Sequence, residues 1–118
     1  MSTEIGLSIS FRWSRIRFRT ALIECIGNPE YIHLLVDARN KLLYIQSCER
    51  DKDAFKVYFR ACKRDAAFYI RGKSLMQNIA KLIGVDGEST LRYAGTQIDE
   101  STIVIYLNAY EEIAREQE

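Results

Sequence analysis

Four arginines, Arg12, Arg15, Arg17 and Arg19, fall within eight residues. A guanidinium fork makes paired hydrogen bonds to phosphate, to carboxylate or to a guanine edge, and a β-ribbon carrying such a row can enter a nucleic-acid groove. Lys56, Arg60, Lys63 and Arg64 form a second basic cluster, followed by Arg71 and Lys73. The candidate contacts to nucleic acid or another anion are therefore Arg12, Arg15, Arg17, Arg19, Lys56, Arg60, Arg71 and Lys73. The competing reading is that antiparallel strands need a polar outer face and that edge strands carry charge against aggregation. A solvated turn accounts for Lys63 and Arg64. Trp13 and the seven tyrosines offer stacking platforms for single-stranded nucleic acid, and the same residues at strand spacing serve a core or an interface.

Other chemistries find little support. The only histidine, His33, lies in an alternating stretch and reads as a strand residue. Cys25, Cys48 and Cys62 form no CxxC pair, and a lone histidine with scattered cysteines lacks the ligand spacing of a zinc site. Asp51 and Asp53 lack the glycine and glutamate of an EF-hand loop. Glu111 and Glu112 read as a polar helix face. No GxSxG, HExxH, GxGxxG or GxxxxGK[ST] occurs, and nothing assembles a nucleophile with a base. The expectation is a protein without catalytic residues, metal ligands or cofactor.

The elements that must position these side chains follow from periodicity. Ile5, Leu7, Ile9, Phe11 and Trp13 alternate with small or polar residues, as in a half-buried strand. The alternation slips at Ser14-Arg15, as at a tight turn or bulge, and resumes with Ile16 and Phe18 opposite Arg15, Arg17 and Arg19. Thr20 is placed to cap a short helix carrying Leu22, Ile23 and Ile26, which Gly27 ends before Asn28-Pro29. Tyr31–Val36 and Leu42–Gln46 form a hairpin around Asp37 to Lys41. Asp53–Arg64 fits either period, with extended structure preferred for its aromatic and β-branched residues. A strand over Ala67–Arg71, a helix over Ser74–Ile83 ended by Gly84, and a hairpin of Thr90–Thr96 with Thr102–Leu107 then repeat the order of the first half. Asn108 with Glu111 imitates a capping box and predicts a helix over residues 108–118.

The fold class predicted is α+β: two strand–short helix–β-hairpin units, a pseudo-duplicated and barrel-like arrangement, plus the C-terminal helix. With 118 residues this is one domain, its units being 1–48 and 66–107 joined by a linker over 49–65. The formal net charge of +1 names no partner, but residues 1–72 hold 13 Lys and Arg against 8 Asp and Glu, whereas residues 73–118 hold 4 against 8. Such asymmetry marks a basic face, or two halves that attract each other. No apolar run reaches the roughly 18 residues of a membrane helix. MSTEIGLSISF lacks the basic start and apolar stretch of a signal peptide, and an odd cysteine count suits a reduced compartment, so a cytoplasmic location is expected.

The stretch from Ser14 to Cys48 resembles the AbrB-like, swapped-hairpin group of bacterial DNA-binding domains, through Arg15-Ile16-Arg17-Phe18, Leu22 with Ile26-Gly27, and Tyr31–Ile45 around Asp37. Arg19-Thr20 stand where that group commonly has a proline. The Gly27-Asn28-Pro29-Glu30-Tyr31 turn and Phe68–Leu75 give the whole chain a likeness to short bacterial, clostridial and prophage proteins. The resemblance implies two AbrB-like units in one chain, with Arg12 to Arg19 at DNA, and a non-enzymatic DNA-binding protein in transcription regulation. The rival expectation is a phage-linked accessory or inhibitor that binds a host protein or sequesters a small anionic ligand. Either way a homo-oligomer is expected.

Overall fold

A computed structural model describes residues 5–57 and 67–113. Strand β1 (Gly6–Ser10) turns through Phe11 to Ser14 into β2 (Arg15–Arg19), which runs directly into helix α1 (Thr20–Cys25). The hairpin β3 (Tyr31–Asp37) and β4 (Leu42–Cys48) follows, then the two-residue strand β5 (Phe55–Lys56). After β6 (Ala67–Arg71) come α2 (Lys73–Ile83), β7 (Thr90–Ala94), β8 (Thr96–Asp99), β9 (Thr102–Tyr106) and β10 (Tyr110–Glu112).

The strands form two antiparallel sheets of five, in the orders β10-β7-β1-β2-β6 and β5-β3-β4-β9-β8. The α+β class is thus right in outline, with sheet dominating and, among the described residues, helix confined to two elements. Among the described strands both sheets keep open edges, so the arrangement is not a closed barrel. Each sheet joins strands from before and after residue 57, so the two parts of the chain share one core.

That core is built from the alternation of apolar side chains. Leu7, Ile9, Ile16, Phe18, Ile70, Leu91 and Tyr93 from the first sheet are nearly inaccessible, as are Ile32, Leu43, Ile45, Ile103 and Ile105 from the second. Burying each of the larger side chains stabilises the fold by about 1.5–3 kcal/mol. Phe18 and Phe68 face each other across β2 and β6 with ring centroids 5.1 Å apart. The Tyr93 hydroxyl, also buried, donates to the Leu107 carbonyl at 2.9 Å, and desolvation raises its pKa. Helix α1 covers the core with Leu22 and Ile23, and α2 with Met76 and Ile79.

The phase slip after β1 is a turn in which Ser14 takes a positive φ of 53°. Thr20 is the first helical residue rather than the cap; Arg19 stands in that place with no side-chain cap bond. Gly27 and Gly84 take the left-handed conformation that ends each helix, at φ 91° and 75°. The hairpin foreseen over Thr90–Leu107 is broken at Gly95, where the chain leaves the first sheet as β7 and enters the second as β8. A Cβ at Gly95 would lie 2.8 Å from Ile103 Cγ2, which is why the crossing takes glycine.

The C-terminal helix predicted for residues 108–118 is corrected. The chain turns after β9, with Ala109 N–H donating to the Tyr106 carbonyl at 2.9 Å, and then forms β10; residues 114–118 lie outside the described residues. The open edge of β7 outweighs the local capping signal. Tyr110 packs edge-on against Tyr93 at 6.0 Å, Glu111 pairs with Arg92, and Ile113 N–H donates to the Thr90 carbonyl at 2.9 Å. Of the ambiguous Asp53–Arg64 stretch, Phe55–Lys56 is strand, as preferred, and residues 58–66 lie outside the described residues.

Aspartates hold the turns. Asp37 accepts from the backbone and side-chain amides of Asn40 at 3.1 and 2.9 Å, and Asp99 accepts from Ser101 N–H at 2.8 Å. Hydrogen bonds to the ionised form keep both carboxyl groups below the usual range, the Asn40 side chain contributing most at Asp37 and the Ser101 backbone at Asp99. A carboxyl group depressed in the folded state adds stability that is full above its unfolded pKa of about 4 and is lost as pH falls through the folded value. Melting temperature is therefore expected to fall below about pH 4, and less so in Asp99→Asn, whose amide still accepts a hydrogen bond. A second expectation concerns the central strand. A Cβ on Gly6 would sit 2.7 Å from the Tyr93 carbonyl oxygen, so Gly6→Ala must push β1 from β7 and cost about 1–3 kcal/mol in a urea titration.

Candidate functional site

The core dictates what the first sheet shows to solvent. Ile9, Ile16, Phe18, Leu91 and Tyr93 point inward, so their sequence neighbours point out. Register sets these in rows. One row runs Glu111, Arg92, Ser8, Arg17, Tyr69 across β10, β7, β1, β2 and β6. The next runs Thr90, Ser10, Arg15, Arg71 across β7, β1, β2 and β6. The small serines of β1 thus form a floor between arginines on both neighbouring strands. Arg92 and Arg17 lie two strand spacings apart, about 10 Å between backbones.

The floor and its walls enclose an open trough of about 300 Å3, lined by Ser8 and Ser10 below, Arg15 and Arg17 on one side, Thr90 and Arg92 on the other, and also by Trp13 and Ile113. Trp13 is 55% exposed, unusual for so large a ring. The Arg12 guanidinium lies 5.3 Å from its centroid, and that of Arg15 lies 4.7 Å from the Tyr69 centroid. Each contact sets a guanidinium group against an aromatic ring, a cation–π arrangement that steadies the arginine without consuming its hydrogen-bond donors.

Two ion pairs lie at the margin of this surface. Arg92 Nη1 is 3.5 Å from Glu111 Oε1, and Arg12 Nε is 4.0 Å from Glu88 Oε1, all four side chains being largely exposed. Pairs this exposed contribute little and exchange readily for another anion. Arg15 lies directly across the ladder from Arg71, a like-charge neighbour pair that costs stability unless an anion shares it.

The eight candidate residues therefore divide. Arg15, Arg17 and Arg71 meet on one face; Arg19 extends it at the end of β2, and Arg12 stands at its rim. Lys73 is the exposed first residue of α2, just beyond β6. Lys56 belongs to the second sheet and is not brought to this face. Arg60 lies outside the described residues, as do Lys63 and Arg64. Sequence reasoning missed Arg92, Ser8 and Ser10 as members of the site. The signal for Arg92 was present, since Leu91 and Tyr93 flank it in alternation, but its nearness to Arg17 depends on β7 pairing with β1.

A second constellation was also missed. His33, Cys48 and Asp51 offer donor atoms that all lie within 4.8 Å of one another. The chain matches no protein-family model, no curated protein and no solved structure.

The positive field at Trp13 can be read without a ligand. Iodide is expected to quench its fluorescence more strongly than caesium at low salt, with the difference narrowing as the Debye length shortens. Equal quenching by the two ions would contradict a field from the neighbouring guanidinium groups.

Proposed function

We propose that this protein binds nucleic acid without catalysis, through the solvent face of its first sheet, and that it prefers a single strand. The observation that carries this reading is the trough of about 300 Å3, floored by serines, walled by Arg15, Arg17 and Arg92, and lined also by an exposed tryptophan. Arginines spaced across paired strands neutralise successive phosphates. An exposed indole at the same trough stacks an unpaired base, a contact a continuous duplex does not offer. The small β1 side chains let a backbone approach the sheet closely.

The resemblance to AbrB-like domains fits this proposal in the placement of the basic strand. It also fits the way matching elements pair. Strands β2 and β6, each leading into a helix, lie antiparallel about Arg17 and Tyr69; β4 and β9, each the second strand of its hairpin, lie antiparallel about Tyr44 and Val104. An internal two-fold axis through both pairs would make the chain two fused units, and we propose that origin for it. A role in transcription regulation is the corresponding biological reading.

The same trough favours one alternative, a small anionic ligand such as a mononucleotide, because its volume is at the lower end of small-molecule sites. Binding of a labelled 12-nucleotide strand, a duplex of the same sequence and a mononucleotide separates the readings. The expected result is tightest binding of the single strand, with log K falling against log salt at a slope of about −3, from about −0.7 per phosphate at Arg15, Arg17, Arg71 and Arg92. Substituting Arg15, Arg17 and Arg92 together by Ala should flatten the slope by about 2 and weaken binding. Equal affinity for the mononucleotide would move the conclusion to the small ligand; unchanged binding by the triple variant would remove the trough from either reading.

A further inference from the structure

On the opposite side of the molecule, the β3–β4 ladder pairs His33 with Gln46 and Tyr31 with Cys48, so His33 and Cys48 are diagonal neighbours on one face. Ile32, Leu43 and Ile45 fill the core from the other face, so that face is the outer one. Three residues after Cys48 the chain folds back and brings Asp51 over the same spot. Asp51 Oδ2 meets His33 Nε2 at 2.8 Å, while its Oδ1 accepts from Asp53 N–H, also at 2.8 Å.

We propose that His33, Cys48 and Asp51 bind a divalent cation of the zinc class, with solvent completing a four-coordinate site. The donor set is one imidazole, one thiol and one carboxylate, the types zinc selects. Bond lengths of about 2.0–2.3 Å put tetrahedral donors about 3.3–3.7 Å apart, so donors within 4.8 Å reach a common ion by small side-chain rotations. The site is held from two directions. His33 and Cys48 are fixed by a seven-residue antiparallel pairing, and Asp51 by a turn that engages one carboxylate oxygen and leaves the other toward the imidazole. A backbone N–H on the non-ligating oxygen is the outer support that metal-bound carboxylates commonly carry. The ion would tie the segment after β4 to the sheet, and its solvent position would remain open to a further ligand.

The test is a cobalt titration of the full chain after chelator treatment. Bound Co2+ is expected to give a sulfur-to-cobalt charge-transfer band in the near ultraviolet, with intense visible ligand-field bands, and Zn2+ should bleach both. Cys48→Ser should abolish the charge-transfer band, and His33→Ala and Asp51→Asn should each weaken affinity at least about tenfold. Cys25→Ser and Cys62→Ser should change neither. Circular dichroism of each variant separates loss of a ligand from loss of the fold. Absence of the band, its survival in Cys48→Ser, or unchanged affinity in both folded His33→Ala and Asp51→Asn would overturn the proposal. The site lies on the second sheet, so none of these outcomes bears on nucleic-acid binding by the first.

Discussion

The inward lock of β1 and β2 is the constraint on which the rest depends. Leu7, Ile9, Ile16 and Phe18 are each 2% exposed or less, and β1 and β2 are flanked on both sides by paired strands. With a two-residue side-chain period, that lock leaves Ser8, Ser10, Arg15 and Arg17 no face but the solvent one. A one-residue slip of either strand would bury guanidinium groups and expose isoleucine and phenylalanine, at a cost far above the stability of a domain this size. The same packing that builds the core therefore places the cationic groups, and it does so on rigid backbone rather than on a loop.

The two outer faces then differ in character. The first sheet shows arginines over a serine floor, with aromatic rings beside two of the guanidinium groups. The second carries Tyr31, His33, Leu35, Tyr44 and Cys48 in its β3–β4 ladder, less cationic and partly apolar. Charge asymmetry along the chain becomes asymmetry between faces, because β2 and β6 sit side by side although α1 and a hairpin separate them in sequence. The acidic Glu111 of β10 meets the basic face at its edge, beside Arg92. Among the described residues no helix is long and apolar enough to cross a membrane.

Local pattern was legible where one strand carried the whole signal. The alternation of Arg15, Arg17 and Arg19 with Ile16 and Phe18 placed β2, and Gly27 and Gly84 marked both helix ends. What depended on pairing was not legible. Arg92 joins the site only because β7 lies beside β1; Asn108 with Glu111 looked like a helix start, but an unpaired strand edge was waiting at β7. His33, Cys48 and Asp51 have no metal-site spacing, because their proximity comes from hairpin register and a turn rather than from a short motif. The break at Gly95 was hidden for a similar reason: a strand that changes sheets keeps its alternation almost intact.

The most direct measurement of the central claim is a map of backbone and indole amide shifts in the 15N-labelled protein as a short single-stranded oligonucleotide is added. The changes are expected to concentrate at Ser8, Ser10, Arg15, Arg17 and Arg92 and at the Trp13 indole N–H, with the β3–β4 ladder unmoved. Shifts confined to that ladder, or none at saturating oligonucleotide, would contradict it.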